Sequence, residues 1–215
     1  MNNTSIIICC AGMGTRLGIS STKALVNISG KPLIIHLLEQ LDEYDDVRIV
    51  VGYQADKVID AVNKYRRDIL FAFNYDYKTT GTIESVSKAI IGAREYTVIL
   101  GGDMFVEPNG LKKYLSFDGE CLGCMPIRST EPVYVSTDGK NMAVGLSRES
   151  GDFEWSGLVK MKTERFHTGD SYVYEMLNPL LPMKMIHVRS IDIDTPEDYE
   201  LADMWVRNDY KDGIL

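Results

Sequence analysis

Residues 5–23 read Ser5-Ile-Ile-Ile-Cys-Cys-Ala-Gly-Met-Gly-Thr-Arg-Leu-Gly-Ile-Ser-Ser-Thr-Lys23. The apolar run predicts a buried strand, and it ends in a glycine-rich turn at Gly12 and Gly14. Because glycine has no Cβ, the backbone N–H groups of this turn can approach a ligand oxygen closely. Arg16 and Lys23 follow within reach of one polyphosphate. The stretch therefore predicts a triphosphate site at the carboxyl edge of an open α/β sheet.

Two other nucleotide-binding patterns fit this turn less well. A dinucleotide-binding fingerprint is Gly-x-Gly-x-x-Gly, but Leu17 stands where the third glycine belongs. A P-loop has glycine directly before its lysine, but Thr22 precedes Lys23. The remaining alternative is an ordinary strand-to-helix turn with solvated charges, and the two cations argue against it.

The turn and the residues after it resemble the nucleotidyltransferase family that activates sugar phosphates and small phosphorylated alcohols. The family signature is approximately Gly-x-Gly-Thr-Arg-Leu, Pro-Lys-x-Leu and Gly-Lys-Pro-Leu-Ile. This chain has Gly12-Met-Gly-Thr-Arg-Leu17, Lys23-Ala-Leu25 and Gly30-Lys-Pro-Leu-Ile34, and it departs at Thr22, Cys9 and Cys10. The resemblance covers nearly the whole chain. It implies nucleotide binding by Ala11, Gly12, Met13, Gly14 and Thr15, with Arg16 and Lys23 as the catalytic cations.

Composition is that of one compact domain. The chain has 215 residues and a formal net charge of −8, which argues against binding to nucleic acid or to an anionic membrane. No apolar run is long enough to span a bilayer, and no secretory signal pattern opens the chain, so we expect a cytoplasmic protein. Four cysteines in two close pairs are predicted to be buried structural thiols. The sequence leaves a homodimer open.

The pattern along the chain changes near residue 120. Strand and helix signals alternate up to that point, which predicts a parallel sheet with right-handed crossovers. Short β-like runs follow, with a turn signal at Asp138-Gly139. We therefore expect a single Rossmann-like domain over 1–215, with a mostly parallel twisted sheet flanked by helices. Its nucleotide-binding half is about 1–120, and its acceptor-binding half, about 121–215, adds a small β-rich lid.

Three aspartates are candidate ligands for a metal ion. Asp103 follows the strand Tyr96–Leu100 and two glycines, and Asp192 and Asp194 share one face of an extended segment. Their hard oxygen atoms suit Mg²⁺. The resemblance implies that Asp103 and Asp194 bind this ion, while Asp192 is a weaker third candidate. The alternative roles are an Asx turn for Asp103 and helix capping beside Thr195 for Asp194.

The family keeps its base-reading loop where this chain has Asn74-Tyr-Asp-Tyr-Lys-Thr-Thr-Gly-Thr-Ile-Glu-Ser85. The spacing is similar to that of cytidylyltransferases for choline phosphate-like acceptors, although Gly81-Thr82 is also typical of hexose-phosphate enzymes. The resemblance implies base contacts from Tyr53, Asn74, Thr80, Gly81, Thr82 and Ser85. A polar loop followed by a helix cap is the alternative.

Acceptor residues are predicted from the run around Trp155. The family has a glycine near Gly157 that lines the acceptor pocket and a nearby lysine that contacts the acceptor phosphate, and Lys160 or Lys162 fits that role. Trp155 is a candidate for stacking on a sugar or a quaternary ammonium group. A solvated strand face and a core tryptophan are the alternatives.

These residues together predict a Mg²⁺-dependent nucleotidyltransferase. It would move a nucleoside monophosphate, CMP from CTP in the favoured case, to a small phosphorylated acceptor and release pyrophosphate. The alternatives are a sugar-1-phosphate uridylyl-, thymidylyl- or guanylyltransferase and a non-catalytic nucleotide-binding regulatory subunit. The sequence leaves the acceptor and the choice between CTP and UTP open.

Overall fold

The computed structural model describes residues 3–14, 21–167, 169 and 172–210. Strands and helices alternate in its first half, as the sequence predicts. The strands there are β1 (Thr4–Cys10), β2 (Asn27–Ile28), β3 (Lys31–Pro32), β4 (Val47–Val51), β5 (Leu70–Phe73), β6 (Tyr96–Gly101) and β7 (Met104–Val106). The helices are α1 (Leu33–Glu39), α2 (Ala55–Tyr65), α3 (Thr82–Ala89) and α4 (Pro108–Leu115).

The second half is rich in strands. They are β8 (Cys121–Met125), β9 (Tyr134–Thr137), β10 (Met142–Ser147), β11 (Phe153–Lys162), β12 (Met183–His187) and β13 (Ser190–Asp192). Two helices complete it, α5 (Val173–Leu177) and α6 (Pro196–Arg207). Thr195 caps α6: its hydroxyl accepts a hydrogen bond from the Asp198 amide at 3.2 Å. Nowhere in the described ranges is a helix long and apolar enough to cross a bilayer.

Nine strands of the described chain form one sheet in the order β5-β4-β1-β6-β11-β8-β12-β10-β9. The pairs β5–β4, β4–β1 and β1–β6 are parallel, so the predicted parallel sheet is confirmed for the first half. The carboxyl ends of these strands share one edge. That edge carries the glycine turn after β1 and the segment that leads to Asp103 after β6.

The second half corrects the prediction of a mostly parallel sheet. β11 is antiparallel to β6, β8 and β9, and only β8 and β12 pair in parallel there. Because β9 returns to pair with β11, the strands β11, β8, β12, β10 and β9 close into a small barrel. The sheet is therefore mixed. Short loops, such as the Asp138-Gly139 turn between β9 and β10, favour antiparallel neighbours, since a parallel pair needs a long crossover.

Apolar side chains of β1 pack on both sides of the sheet. Ile6 and Ile8 belong to the same buried cluster as side chains of α1, α2 and α4, whereas Ile7 packs with α3 and the barrel strands. All three isoleucines are fully buried. Burial of each side chain stabilises the fold by about 1.5–3 kcal/mol. The central strand, and with it the start of the glycine turn, is thus held rigidly.

A separate two-stranded ribbon positions the aspartates. β7 pairs antiparallel with β13, so Met104 lies opposite Asp192. Beyond the ladder, the amide of Ile193 donates to the carbonyl of Asp103 at 2.9 Å. Two segments that are far apart in sequence therefore meet beside the carboxyl end of β6.

Candidate active site

A cavity of about 350 Å³ opens at the carboxyl ends of β1 and β6. Ten residues that the sequence predicts as site residues line it: Ala11, Gly12, Gly14, Lys23, Asn74, Thr80, Gly81, Thr82, Ser85 and Asp103. Met13 and Tyr53 are not among the lining residues. Thr15 and Arg16 lie outside the described residues, so the roles expected for them stay predictions.

The two glycines of the turn differ in what they require. Gly14 has a φ of +62°, and a Cβ there would lie 2.7 Å from Cγ of Lys23. A side chain at Gly14 would therefore strain the backbone and displace the lysine. At Gly12, no atom of the described residues lies within 4 Å of the place of a Cβ, so a side chain there would extend into open space.

Lys23 joins the two aspartates that the sequence predicts as metal ligands. Its ammonium donates to Oδ2 of Asp103 at 3.0 Å and to Oδ1 of Asp194. Burial lowers the pKa of Lys23, but the attraction of the two carboxylates outweighs that effect and the pKa is raised. The lysine is therefore a permanent cation at the edge of the cavity. The side chain of Asp194 faces this cation, and Thr195 and Asp198 cap α6 instead.

Asp192 lies beside this cluster. The residue is exposed. Partial desolvation by the surrounding protein atoms, followed by repulsion from Asp103 and Asp194, raises its pKa to about 7. Three acidic groups thus share a small region with one lysine, and this region attracts further positive charge.

The carboxylates at this site fit a Mg²⁺ ion that is also bound by a nucleotide. Among the described residues, no group of three or more histidine, cysteine, aspartate or glutamate side chains is arranged to hold a metal ion. Asp103 and Asp194 converge on one point, the ammonium of Lys23. Because Mg²⁺ commonly binds through one or two carboxylates and substrate phosphates, this pair fits an ion that arrives with a nucleotide.

Asn74 organises the wall of the cavity that is predicted to read the base. The side chain is buried, and its amide nitrogen donates to Oγ1 of Thr80 at 2.9 Å and to Oγ of Ser85 at 3.0 Å. Its oxygen accepts from the amide of Asp76 at 3.1 Å. Both N–H groups are therefore used inside the protein. Asn74 positions two hydroxyls that line the cavity, and direct base reading by its N–H groups would need these bonds to break.

Sequence reasoning missed several lining residues. Tyr77 lines the cavity, and its ring centroid lies 6.2 Å from that of Tyr53. Gly102 also lines it, and a Cβ at this position would collide with Cys10 at the end of β1. Two sequence features could have identified these residues: the tyrosine in the predicted base-reading loop and the pair of glycines before Asp103. Further lining residues outside the prediction are Cys9, Cys10, Thr22, Ala24 and Gly101.

Trp155 and Gly157 belong to a bulge in β11. The pairing of β11 with β8 is interrupted between Trp155 and Val159, and Gly157 has a φ of +79°. The indole N–H of Trp155 donates to the carbonyl of Leu158 at 2.9 Å, and its ring packs on the barrel core. A Cβ at Gly157 would lie 3.0 Å from Cε of Met104, next to Asp103. The bulge is thus near the aspartates, but the polar group of Trp155 is already engaged.

The placement of Lys160 does not support its predicted contact with an acceptor phosphate. Lys160 pairs with Val98 in the middle of β6, away from the edge that carries the cavity. Its buried ammonium donates to the carbonyls of Leu115 at 3.3 Å and Phe117 at 2.6 Å. These carbonyls end α4, so Lys160 caps that helix. The alternation of side chains along β11 predicts on which face of the sheet Lys160 lies. It does not predict how far Lys160 lies from the sheet edge that carries the cavity.

The model of one family, the MobA-like NTP transferase domain, matches residues 6–143. The chain belongs to this family. The match confirms the resemblance in the glycine turn, and it covers β1, the cavity-lining loops and Asp103. Asp194 lies beyond the matched residues.

Curated relatives of this NTP transferase match over different lengths. The Bifunctional protein GlmU of Campylobacter fetus subsp. fetus is 35% identical over 115 residues, which are 52% of this chain and 26% of the relative. The chain thus spans about a quarter of the length of this relative. The 2-C-methyl-D-erythritol 4-phosphate cytidylyltransferase of Clostridium perfringens strain SM101 is 25% identical over 232 residues, which cover 96% of this chain and 100% of the relative.

Solved structures share the fold. A putative glucose-1-phosphate thymidylyltransferase from Bacillus anthracis has a TM-score of 0.80 at 14% identity and covers 95% of this chain and 96% of its own. The CTP:phosphocholine cytidylyltransferase from Streptococcus pneumoniae has a TM-score of 0.78 at 18% identity, with 94% and 99% covered. At these identities the likeness establishes the architecture alone.

Proposed function

We propose that this NTP transferase moves CMP from CTP to a small phosphorylated acceptor and releases pyrophosphate. The observation that carries the proposal is the meeting of Lys23, Asp103 and Asp194 at the rim of the cavity that the glycine turn lines. A regulatory subunit without turnover has no need for two convergent aspartates. Their presence supports an enzyme.

The reaction joins an oxygen of the acceptor phosphate to the α-phosphorus of the triphosphate, and the bond from that phosphorus to the pyrophosphate oxygen breaks. Both reactants are anions, so the protein must align them and neutralise charge. In this proposal, the backbone N–H groups of Gly12 and Gly14 donate to the triphosphate and the ammonium of Lys23 binds its phosphates, since all three residues line the cavity. Mg²⁺ held by Asp103 and Asp194, when bound, supplies charge neutralisation between the two substrates. Asp192 is proposed to support this site.

Pyrimidine selection is proposed for the wall around Asn74. Ser85 lines the cavity and accepts a hydrogen bond from Asn74, and the proposed role of its O–H is to donate to the base. The hydroxyl of Thr80, in contrast, donates to the carbonyl of Asp76 at 2.9 Å. A donor at Ser85 fits O2 or N3 of cytosine. The names of the Clostridium relative and the Streptococcus structure, both cytidylyltransferases, support CTP over other triphosphates.

The β-rich barrel and the bulge at Gly157 are proposed to shape the acceptor side, as a wall and not as a hinged lid. A sugar-1-phosphate uridylyl-, thymidylyl- or guanylyltransferase is the alternative, since the Bacillus structure of similar fold bears a thymidylyltransferase name. Pyrophosphate release decides between them when each triphosphate is combined with choline phosphate, methylerythritol phosphate, inositol phosphate or hexose 1-phosphates. The proposal expects CTP with a non-hexose acceptor. Release only with UTP, dTTP or GTP and a hexose phosphate would establish the alternative.

A further inference from the structure

Gln54 adopts a backbone conformation that is unusual for glutamine. Its φ is 52° and its ψ is 39°, in the left-handed region that favours glycine. The residue stands directly before α2 as its N-cap position, yet its side chain makes no capping hydrogen bond to that helix. It follows β4 and therefore lies at the sheet edge that carries the cavity. A strained backbone conformation of this kind persists only where contacts with other residues stabilise it.

The side chain of Gln54 connects Thr22, which lines the cavity, to Tyr53, which lies behind the cavity-lining Tyr77. Its Oε1 accepts a hydrogen bond from the amide of Thr22 at 3.3 Å, and its Nε2 donates to the hydroxyl oxygen of Tyr53 at 3.3 Å. Thr22 directly precedes Lys23, which begins a short 3₁₀ turn over Lys23–Leu25. The carboxamide therefore holds the start of the segment that bears the lysine.

The second contact leads to the base side. The ring of Tyr53 lies beside Tyr77, which lines the cavity next to Thr80. One carboxamide thus spans the distance between the phosphate-binding lysine and the wall that is proposed to hold the base. The left-handed backbone aims it there: a residue with ordinary helical or extended geometry at this position would direct its side chain elsewhere.

We propose that Gln54 is a positioning residue that fixes Lys23 relative to the bound nucleotide. The inference rests on the proposed function, because it concerns alignment in nucleotidyl transfer. The backbone strain at Gln54 is retained for alignment and costs stability. Stability and activity should therefore respond in opposite directions when Gln54 is replaced.

Two variants separate these effects. Gln54→Gly and Gln54→Asn both accept the left-handed conformation more readily, and neither side chain reaches the amide of Thr22. We expect Tm to stay equal or rise by about 2–4 °C. We expect kcat to fall about 5–20-fold while KM for CTP changes less than about 3-fold, because misalignment acts mainly on the transition state.

Asn141→Gly is the matched control. Asn141 is also left-handed, with a φ of 65°, and its side-chain amide donates to the carbonyl of Met185 at 3.1 Å, but it lies directly before β10, among the barrel strands. The control should leave kcat unchanged. Unaltered kcat in both Gln54 variants, or a fall of Tm together with kcat, would overturn the positioning role. A wild-type protein that forms no product would instead contradict the proposed function itself, so the two failures are distinguishable.

Discussion

Replacing Lys23 by methionine separates its two expected effects, on metal binding and on turnover. The ammonium lies between the carboxylates of Asp103 and Asp194, whose side chains are 37% and 26% exposed. Partly exposed ion pairs are worth about 0.5–1 kcal/mol each after screening, so the lysine holds this point with about 1–2 kcal/mol. A divalent cation that binds without nucleotide must displace it. Methionine keeps the aliphatic stem that lies against Gly14 and removes only the charge.

The nucleotide-free Lys23→Met variant should therefore bind Mn²⁺, as a spectroscopic substitute for Mg²⁺, about 5–30-fold more tightly than the wild type. Electron paramagnetic resonance of free Mn²⁺ measures this directly. Turnover should fall at the same time, by about 2–4 kcal/mol in transition-state stabilisation, because the triphosphate loses a charge-assisted contact. Lys31→Met, which removes a surface pair with Glu39, is the control and should change neither. Equal or weaker Mn²⁺ binding by Lys23→Met would refute the argument.

Three further predictions follow from single contacts. Gly14→Ala should lower the free energy of unfolding in urea by about 1–2 kcal/mol, and Gly12→Ala by less than about 0.5 kcal/mol; equal losses would contradict the role given to the left-handed φ. Lys160→Met should destabilise the protein by about 1–3 kcal/mol without changing KM for the acceptor, and a raised KM would restore its predicted contact with the acceptor phosphate. Asn74→Ala should weaken CTP binding at least about 10-fold in calorimetry, since Ser85 loses its orientation; unchanged affinity would exclude that role.

Local patterns predicted the first half of the fold and most of the cavity. The apolar run at 5–10 could only be a buried strand, and the glycine turn after it had to lie at the carboxyl edge of a parallel sheet. Asp103 follows another such strand, so the same rule placed it beside the turn. These inferences need only the periodicity of one element and the direction of its strand.

The remaining features of the fold and the site depend on pairing between strands that are far apart in sequence. No single segment of the sequence encodes that pairing. Asp194 reaches Asp103 because β13 pairs with β7, a ribbon of two three-residue strands that no local signal predicts. The barrel closes because β11 is long enough to pair with three neighbours. The position of Lys160 along the sheet could not be predicted for the same reason: the register against β6, which puts it mid-strand, is a property of the pair of strands.

The position of bond cleavage in the triphosphate shows whether the protein transfers a nucleoside monophosphate. Wild-type protein is incubated with Mg²⁺, the acceptor panel and CTP that carries radioactive phosphorus at either the α or the γ position. The account predicts that α label appears in the acceptor product and γ label in pyrophosphate, and that Asp103→Asn and Asp194→Asn each abolish most of this transfer. Transfer of γ label to an acceptor would show attack at the terminal phosphate, and full activity in both aspartate variants would show that these side chains hold no metal; either result would contradict the account.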